Sequence, residues 1–305
     1  TENNPKYANR IIKQLKAYSK NMGFDKSYDP YKVAYGSMPS HATANPEIKQ
    51  LYINGHFCYA FKFGVVTNGL GIIRHFAFYN KDFLDTHPEI FIQKKSDSPD
   101  EDKSVHDARL LIPTLKDSFS KHPLIHPTVF LGDAAFDSIR RYKDLLTGNT
   151  FGKNRHFSNA YIPLNARAHL ENTDYTINKD GIPCCSHNSV LLMKYEGTSK
   201  LRSGITRYKF SCPKVEWVYD KISQKCHREC RCDNPCTSSS CGRIIYIYLE
   251  KNLRAYPGVL RGTPKWDSTY KIRTVVERDI NHLKDNFCLA DRRTQNEKTL
   301  YADLL

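Results

Sequence analysis

Long apolar runs are absent from the 305 residues: no stretch of 18 or more occurs, whereas a helix crossing a bilayer needs about 20. The N-terminus, Thr1-Glu-Asn-Asn-Pro-Lys6, has neither the basic start nor the apolar middle of a secretory signal. A soluble, cytoplasmic protein without a membrane partner is therefore expected. Internal repeats and low-complexity tracts are also missing, which excludes repeat arrays and biased disordered chains. Cysteine is nearly absent outside one segment, since eight of the ten fall between Cys184 and Cys241. Without a secretion signal, such clustering points to metal rather than disulfides. Acidic side chains are the scarcer charge, 32 against 46 Lys and Arg, leaving +14 spread along the chain. That surface favours polyanions, nucleic acid first and acidic membrane second. With no initial Met and a stop at Tyr301-Ala-Asp-Leu-Leu305, inside an apolar helical pattern, the chain reads as a fragment.

What is present is an ordinary globular make-up, 40% hydrophobic and 12% aromatic, sufficient for one sizeable core or two. The spacing predicts a helix over Tyr7–Lys20 and a loop around Asp29-Pro30. Two β-rich runs, His56–Thr67 and Gly71–Tyr79, flank Asn68-Gly69, a strong hairpin signal. Ser98-Pro99 resembles a helix start, and Val105, Ala108, Leu111 and Leu115 give Ser104–Phe119 helical spacing. A short strand, Thr128–Leu131, precedes Gly132-Asp133; Arg140–Leu146 reads as helix and Ala160–Leu164 as strand. The order hairpin, helix, strand, helix, strand indicates an α/β fold with a mixed sheet and flanking helices. From about 168 to 262 the texture changes to short β-like pieces, turns and cysteines. The expected organisation is a first part of the α/β domain over 1–167, a cysteine-rich, mainly β or irregular insertion over 168–262, and final helices over 263–305, with regular helix resuming near Thr269.

Chemistry concentrates in two acids. Asp133 ends an apolar strand and is followed by small residues, which places its carboxylate at the C-terminal edge of a strand, where α/β sheets put their sites. Asp137 is expected to cap the next helix. Farther on, Tyr270, Arg273, Glu277 and Lys284 stand at offsets 0, 3, 7 and 14. At about 100° per residue one helix would present all four as a polar stripe, with Val276, Ile280, Leu283 and Phe287 beside it as a core face. Attack on a DNA phosphate builds charge on the entering and leaving oxygens, and two divalent cations about 4 Å apart can stabilise both. Hard Mg2+ or Mn2+ requires carboxylates converging from different elements, and Asp133 and Glu277 supply two.

On these residues the chain resembles the DDE transposases of bacterial insertion sequences, a ribonuclease H-like group with the signature Y-x2-R-x3-E-x6-K. The resemblance runs through Asn3-Asn4-Pro5-Lys6, the Gly55–Phe76 hairpin, Leu131–Asp137 and Tyr270–Leu305. It implies metal-dependent cleavage and strand transfer of transposon ends, with Asp133 as the second metal-binding acid and Glu277 as the third. Tyr270, Arg273, Arg278 and Lys284 would contact the backbone of double-stranded DNA, transposon end or target, and the protein would act as a homodimer near the bacterial nucleoid. In the family the first acid lies in an Asp-Gly-Ser/Thr strand, which would fall just upstream of Thr1. The nearest look-alike, Ala34-Tyr35-Gly36-Ser37, has Tyr in place of Asp, and Asp25 and Asp29 sit in polar, loop-like context. The chain is accordingly expected to be catalytically incomplete.

The cysteine segment yields candidate zinc ligands Cys185, Cys212, Cys230, Cys232, Cys236 and Cys241, for a structural role. The Cys230-x-Cys232-x3-Cys236-x4-Cys241 spacing contains no C-x2-C pair, so the ligand set stays open, and reduced structural cysteines are the alternative. Trp217, in Lys214-Val-Glu-Trp217-Val-Tyr219, is either core or a DNA contact that stacks on an unpaired base, as relatives with a β insertion use one. Two rival functions are a non-enzymatic zinc module that binds nucleic acid and a related nuclease without strand transfer.

Overall fold

A computed structural model describes residues 5–23, 28–30, 33, 48–53, 56–90, 107–153, 155–165, 175–178, 180–249, 253–287 and 297–304. Asp25 and Ala34–Ser37, two places considered for a first acid, lie outside them, as does the helix start at Ser98-Pro99. The protein is of mixed α/β type, with small sheets and several helices, and it divides into two compact units, 1–123 with 274–305, and 124–273. Among the described residues no helix is long and apolar enough to cross a membrane.

The first unit opens with α1 (Pro5–Met22), which contains the expected Tyr7–Lys20 helix, and β1 (Lys49–Ile53), which pairs antiparallel with β2 (His56–Ala60). The predicted hairpin forms from β3 (Phe63–Thr67) and β4 (Ile73–Phe78). Its turn is longer than Asn68-Gly69 alone. Asn68 Oδ1 accepts from the amides of Leu70 and Ile72 (3.0 and 2.9 Å), and the left-handed residue is Gly71 at φ +84°. A β-carbon at Gly71 would stand 3.0 Å from Val275, so the tight turn and its packing both require glycine.

Next come α2 (Lys81–Thr86), capped by Asn80, and α3 (Asp107–Lys121), whose buried side, Leu110, Ile112, Leu115 and Phe119, is broader than the spacing suggested. Ala77, Phe83, Leu84, Ile90 and Leu110 make one core cluster. After its excursion through the second unit the chain returns as α6 (Thr274–Asp285), packed on β3, and α7 (Glu297–Leu304). The buried residue of α6 is Val275, while Phe287, expected on the core face, is 54% exposed.

In the second unit β5 (Val129–Leu131) pairs in parallel with β6 (Asn159–Tyr161), and α4 (Ile139–Leu146) makes the crossover. This is the strand-helix-strand unit the sequence predicts. Its strands pair with each other and not with the β3–β4 hairpin among the described residues. The cysteine-rich segment is β-rich, as expected. β7 (Lys194–Lys200), β8 (Thr206–Ser211) and β11 (Ile244–Tyr248) form an antiparallel sheet, and β9 (Val215–Asp220) with β10 (Lys225–Cys230) forms a hairpin. Met193, Tyr208, Phe210, Ile245 and Ile247 from the inner face of the sheet pack with Ala255, Tyr256 and Leu260. Helix α5 (Pro264–Tyr270) closes the unit.

Candidate functional site

Asp133 stands two residues beyond β5, where the parallel ladder has just ended with Gly132 donating to the carbonyl of Tyr161 (3.1 Å). Gly132 leaves no room for a side chain, since a β-carbon there would lie 2.5 Å from the Phe130 ring. The loop then turns through a 3-10 segment, Ala134–Phe136, whose first amide donates to Asp133 Oδ1 at 3.2 Å. The Asp133 side chain is 63% exposed, and Arg273 Nη1 lies 4.0 Å from its Oδ2. The structure thus joins Asp133 to one of the two basic residues of the Y-x2-R-x3-E-x6-K pattern that lie in the same unit or beyond it on the chain.

That pattern is not carried by one α-helix. Thr263 Oγ1 accepts from the Trp266 amide (3.2 Å) and Pro264 occupies the first turn, so α5 starts at Pro264, ahead of the predicted Thr269. Tyr270 ends α5, Lys271–Arg273 form a 3-10 turn, and Glu277 opens the exposed side of α6 together with Arg278 and Lys284. Tertiary contacts hold the break in place. The Trp266 ring packs against Tyr161 (4.9 Å between centroids) and stacks on Tyr270 (6.0 Å, 18°), and the Arg273 guanidinium lies over Tyr270 at 5.4 Å. The Arg261 guanidinium covers Trp266 at 5.2 Å. Two stacked rings, Trp266 and Tyr270, therefore lie between the guanidinium groups of Arg261 and Arg273, each ring contact worth on the order of 1 kcal/mol, and Arg273 leads on to Asp133.

The far end of this ladder is anchored in the same loop that carries Asp133. Asp137 does not cap α4; Ser138 does, its Oγ accepting from the Arg141 amide at 3.4 Å. The Asp137 carboxylate is instead fully buried and accepts from Tyr142 Oη (3.0 Å), the Asn165 amide (2.8 Å), and Arg254 Nε and Nη2 (3.1 and 2.8 Å). Arg261 donates to Tyr142 Oη at 2.8 Å and to the carbonyls of Ile162, Arg254 and Ala255 at 2.7–2.9 Å. Burial pushes the Tyr142 hydroxyl far up and the Arg261 guanidinium down, while hydrogen bonding to Asp137 raises Arg254. A buried charge network is tolerable when every partner is satisfied, and this one ties the Asp133 loop to residues more than a hundred positions away.

The cysteines are unbridged throughout Cys184–Cys241. Cys212, at the end of β8, faces Cys230 and Cys232; burial and those neighbours raise its thiol. Gly242, at φ +70°, fits between them, with the β-carbons of Cys212 and Cys230 at 3.3 and 3.5 Å from where its own would be. Burial likewise raises Cys184. Cys185, Cys236 and Cys241 are half-buried. Among the described residues no group of three or more His, Cys, Asp or Glu side chains converges closely enough to hold a metal ion. Trp217 is not core: it is 69% exposed on β9. In the first unit, His75 Nε2 lies 2.9 Å from Asp117 Oδ2, both groups largely buried, a pair that no sequence pattern indicated.

Compared with protein-family models, curated proteins and solved structures, the chain matches none.

Proposed function

We propose that the chain is a ribonuclease H-like DNA transposase domain whose Asp133 and Glu277 are metal-binding acids for phosphodiester cleavage and strand transfer. The observation that carries this reading is the position of Asp133, at the C-terminal end of a parallel strand with the Arg273 guanidinium 4.0 Å away. Mg2+ or Mn2+ would take oxygens from both carboxylates and supply the charge that stabilises the entering and leaving oxygens at phosphorus. Tyr270 and Arg273 would hold the DNA backbone beside Asp133, and Arg278 and Lys284 would extend that basic track along α6. The exposure of Asp133 and its cationic neighbour suit an acid that exchanges an Arg contact for a metal and a phosphate.

The partner is double-stranded DNA, bound at transposon ends and target by a homodimer in the bacterial cytoplasm. A structural zinc held among Cys185, Cys212, Cys230, Cys232, Cys236 and Cys241 would staple the β-rich segment; the contact of Cys212 with Cys230 supports it. Metal analysis of purified protein tests that staple: near one equivalent of zinc supports it, and less than about half an equivalent opposes it.

Calorimetric titration with Mn2+ tests the acids. Asp133→Asn and Glu277→Gln should each weaken Mn2+ binding at least about tenfold, roughly 1.4 kcal/mol. Variants that bind Mn2+ as well as the parent chain would remove the basis of the proposal.

A further inference from the structure

We propose that Cys212 and Cys230 form a reversible disulfide, which makes the junction between the β7–β8–β11 sheet and the β9–β10 hairpin a redox-controlled joint. The bridge goes beyond the catalytic reading above and needs neither its acids nor a bound metal.

Three chain segments meet at this junction. Cys212 follows β8, and its amide donates to the Arg243 carbonyl at 2.9 Å; Cys230 ends β10, and its amide donates to the Ser240 carbonyl at 2.8 Å. The returning stretch 240–243 therefore holds both cysteines. Within that stretch Gly242 has no β-carbon, and the point where one would stand lies 3.3 Å from that of Cys212 and 3.5 Å from that of Cys230. A side chain there would wedge the two apart, whereas glycine leaves their thiols in contact. A disulfide sets its β-carbons about 3.8 Å apart, a spacing that touching cysteines reach with little movement.

The neighbouring thiols are turned elsewhere. Cys232 Sγ donates to the Asn234 carbonyl at 3.4 Å, and Cys184 Sγ to that of Ile182 at 3.6 Å. Cys226, earlier on β10, is exposed opposite Tyr219. Exposure also divides the roles within the pair. Cys212 is 4% exposed and Cys230 half-buried, so Cys230 meets the oxidant and Cys212 resolves.

The oxidant is a small disulfide of the glutathione type. The Cys230 thiolate attacks one of its sulfurs, the S–S bond breaks, and the first glutathione thiolate leaves. The Cys212 thiolate then attacks the Cys230 sulfur of the mixed disulfide and expels the second. Two protein thiols are oxidised, one small disulfide is reduced, and the two protons pass to the departing thiolates. Excess thiol runs the sequence backwards. The bridge closes a loop that contains the whole β9–β10 hairpin and fixes it to the end of β8. Both sulfurs are also candidates for the zinc staple, so bridge and metal exclude each other there.

The test treats the purified full chain with excess oxidised glutathione, blocks free thiols by alkylation, and maps bridges by mass spectrometry after trypsin. Cleavage at Arg228 and Arg231 isolates Cys230 on Glu229–Arg231, and cleavage at Lys209 and Lys214 isolates Cys212 on Phe210–Lys214. These two peptides should be joined at a rate at least about tenfold above any other pair, and dithiothreitol should part them. The thermal midpoint of the 124–273 unit should be about 5–10 °C higher in the bridged form. Cys230→Ser should abolish both changes, and Cys226→Ser neither. Zinc is measured on the same sample before and after oxidation. Its absence at the start would count against the staple alone, and zinc present should leave as the bridge forms. Zinc retained without a bridge, bridges spread evenly over the cysteines, or a midpoint shift that survives Cys230→Ser would overturn the proposal.

Discussion

Replacing Asp137 by Asn removes one charge without changing side-chain volume, and the structure gives a magnitude for the loss. The carboxylate is 0% exposed and the Arg254 side chain 16%, so solvent screening does little to reduce their interaction. Asn offers one oxygen and an NH2 group to four donors that now approach a carboxylate from Tyr142, Asn165 and Arg254. Breaking a buried ion pair by neutralising one partner costs about 3–5 kcal/mol, since the other charge stays buried. Both tryptophans lie in the unit of residues 124–273, so their fluorescence follows its unfolding in urea. With a urea dependence of about 2 kcal/mol per molar, the midpoint should fall by roughly 1.5–2.5 M. Arg254→Met added to Asp137→Asn should cost less than the sum of the two by at least about 1 kcal/mol, because the unpaired charge is gone. A midpoint shift below about 0.3 M, or strict additivity, would refute the claim that this network holds the Asp133 loop.

Two further outcomes follow from the same structure. Burial is the largest influence on His75 and lowers its pKa below 6.5, so its neutral form is favoured in the folded state. The unfolded chain then binds the extra proton first. Stability should be fully present above about pH 6.5, fall as pH drops below it, and become flat in a His75→Gln variant followed by thermal unfolding across pH 5–8. Gly242→Ala should cost about 2–3 kcal/mol, as its φ of +70° is left-handed and its β-carbon would meet buried Val215 at 2.5 Å. Gly204→Ala, at φ +84° with nothing within 4 Å, should cost only about 1 kcal/mol, and thermal midpoints of the two compare them directly.

Local chemistry was legible wherever neighbours in sequence are neighbours in space. The strand that ends at Asp133, the helix from Ile139 and the parallel return at Asn159–Tyr161 follow from short-range pattern, and the hairpin follows from Asn68. Its turn length did not, because Gly71 rather than Gly69 takes the left-handed conformation against Val275. The 270–284 stripe misled for a similar reason: offsets of 3, 7 and 14 assume one continuous helix, while ring stacking and Arg273 draw the chain into a 3-10 turn. Thr263-Pro264 was the available signal for an earlier helix start. Asp137 looked like a cap because Asp often is one; its actual partner, Arg254, stands 117 residues away and leaves no local trace. Trp217 among Val and Tyr reads as core by composition, yet register with Arg228 puts it on the outside.

The most direct test of the account is a crystal of the protein soaked in Mn2+ and measured at the manganese absorption edge. Anomalous density touching Asp133 and Glu277 is expected, with paired ions about 4 Å apart when DNA is bound. Carboxylates more than about 10 Å apart, with no manganese at either, would contradict it.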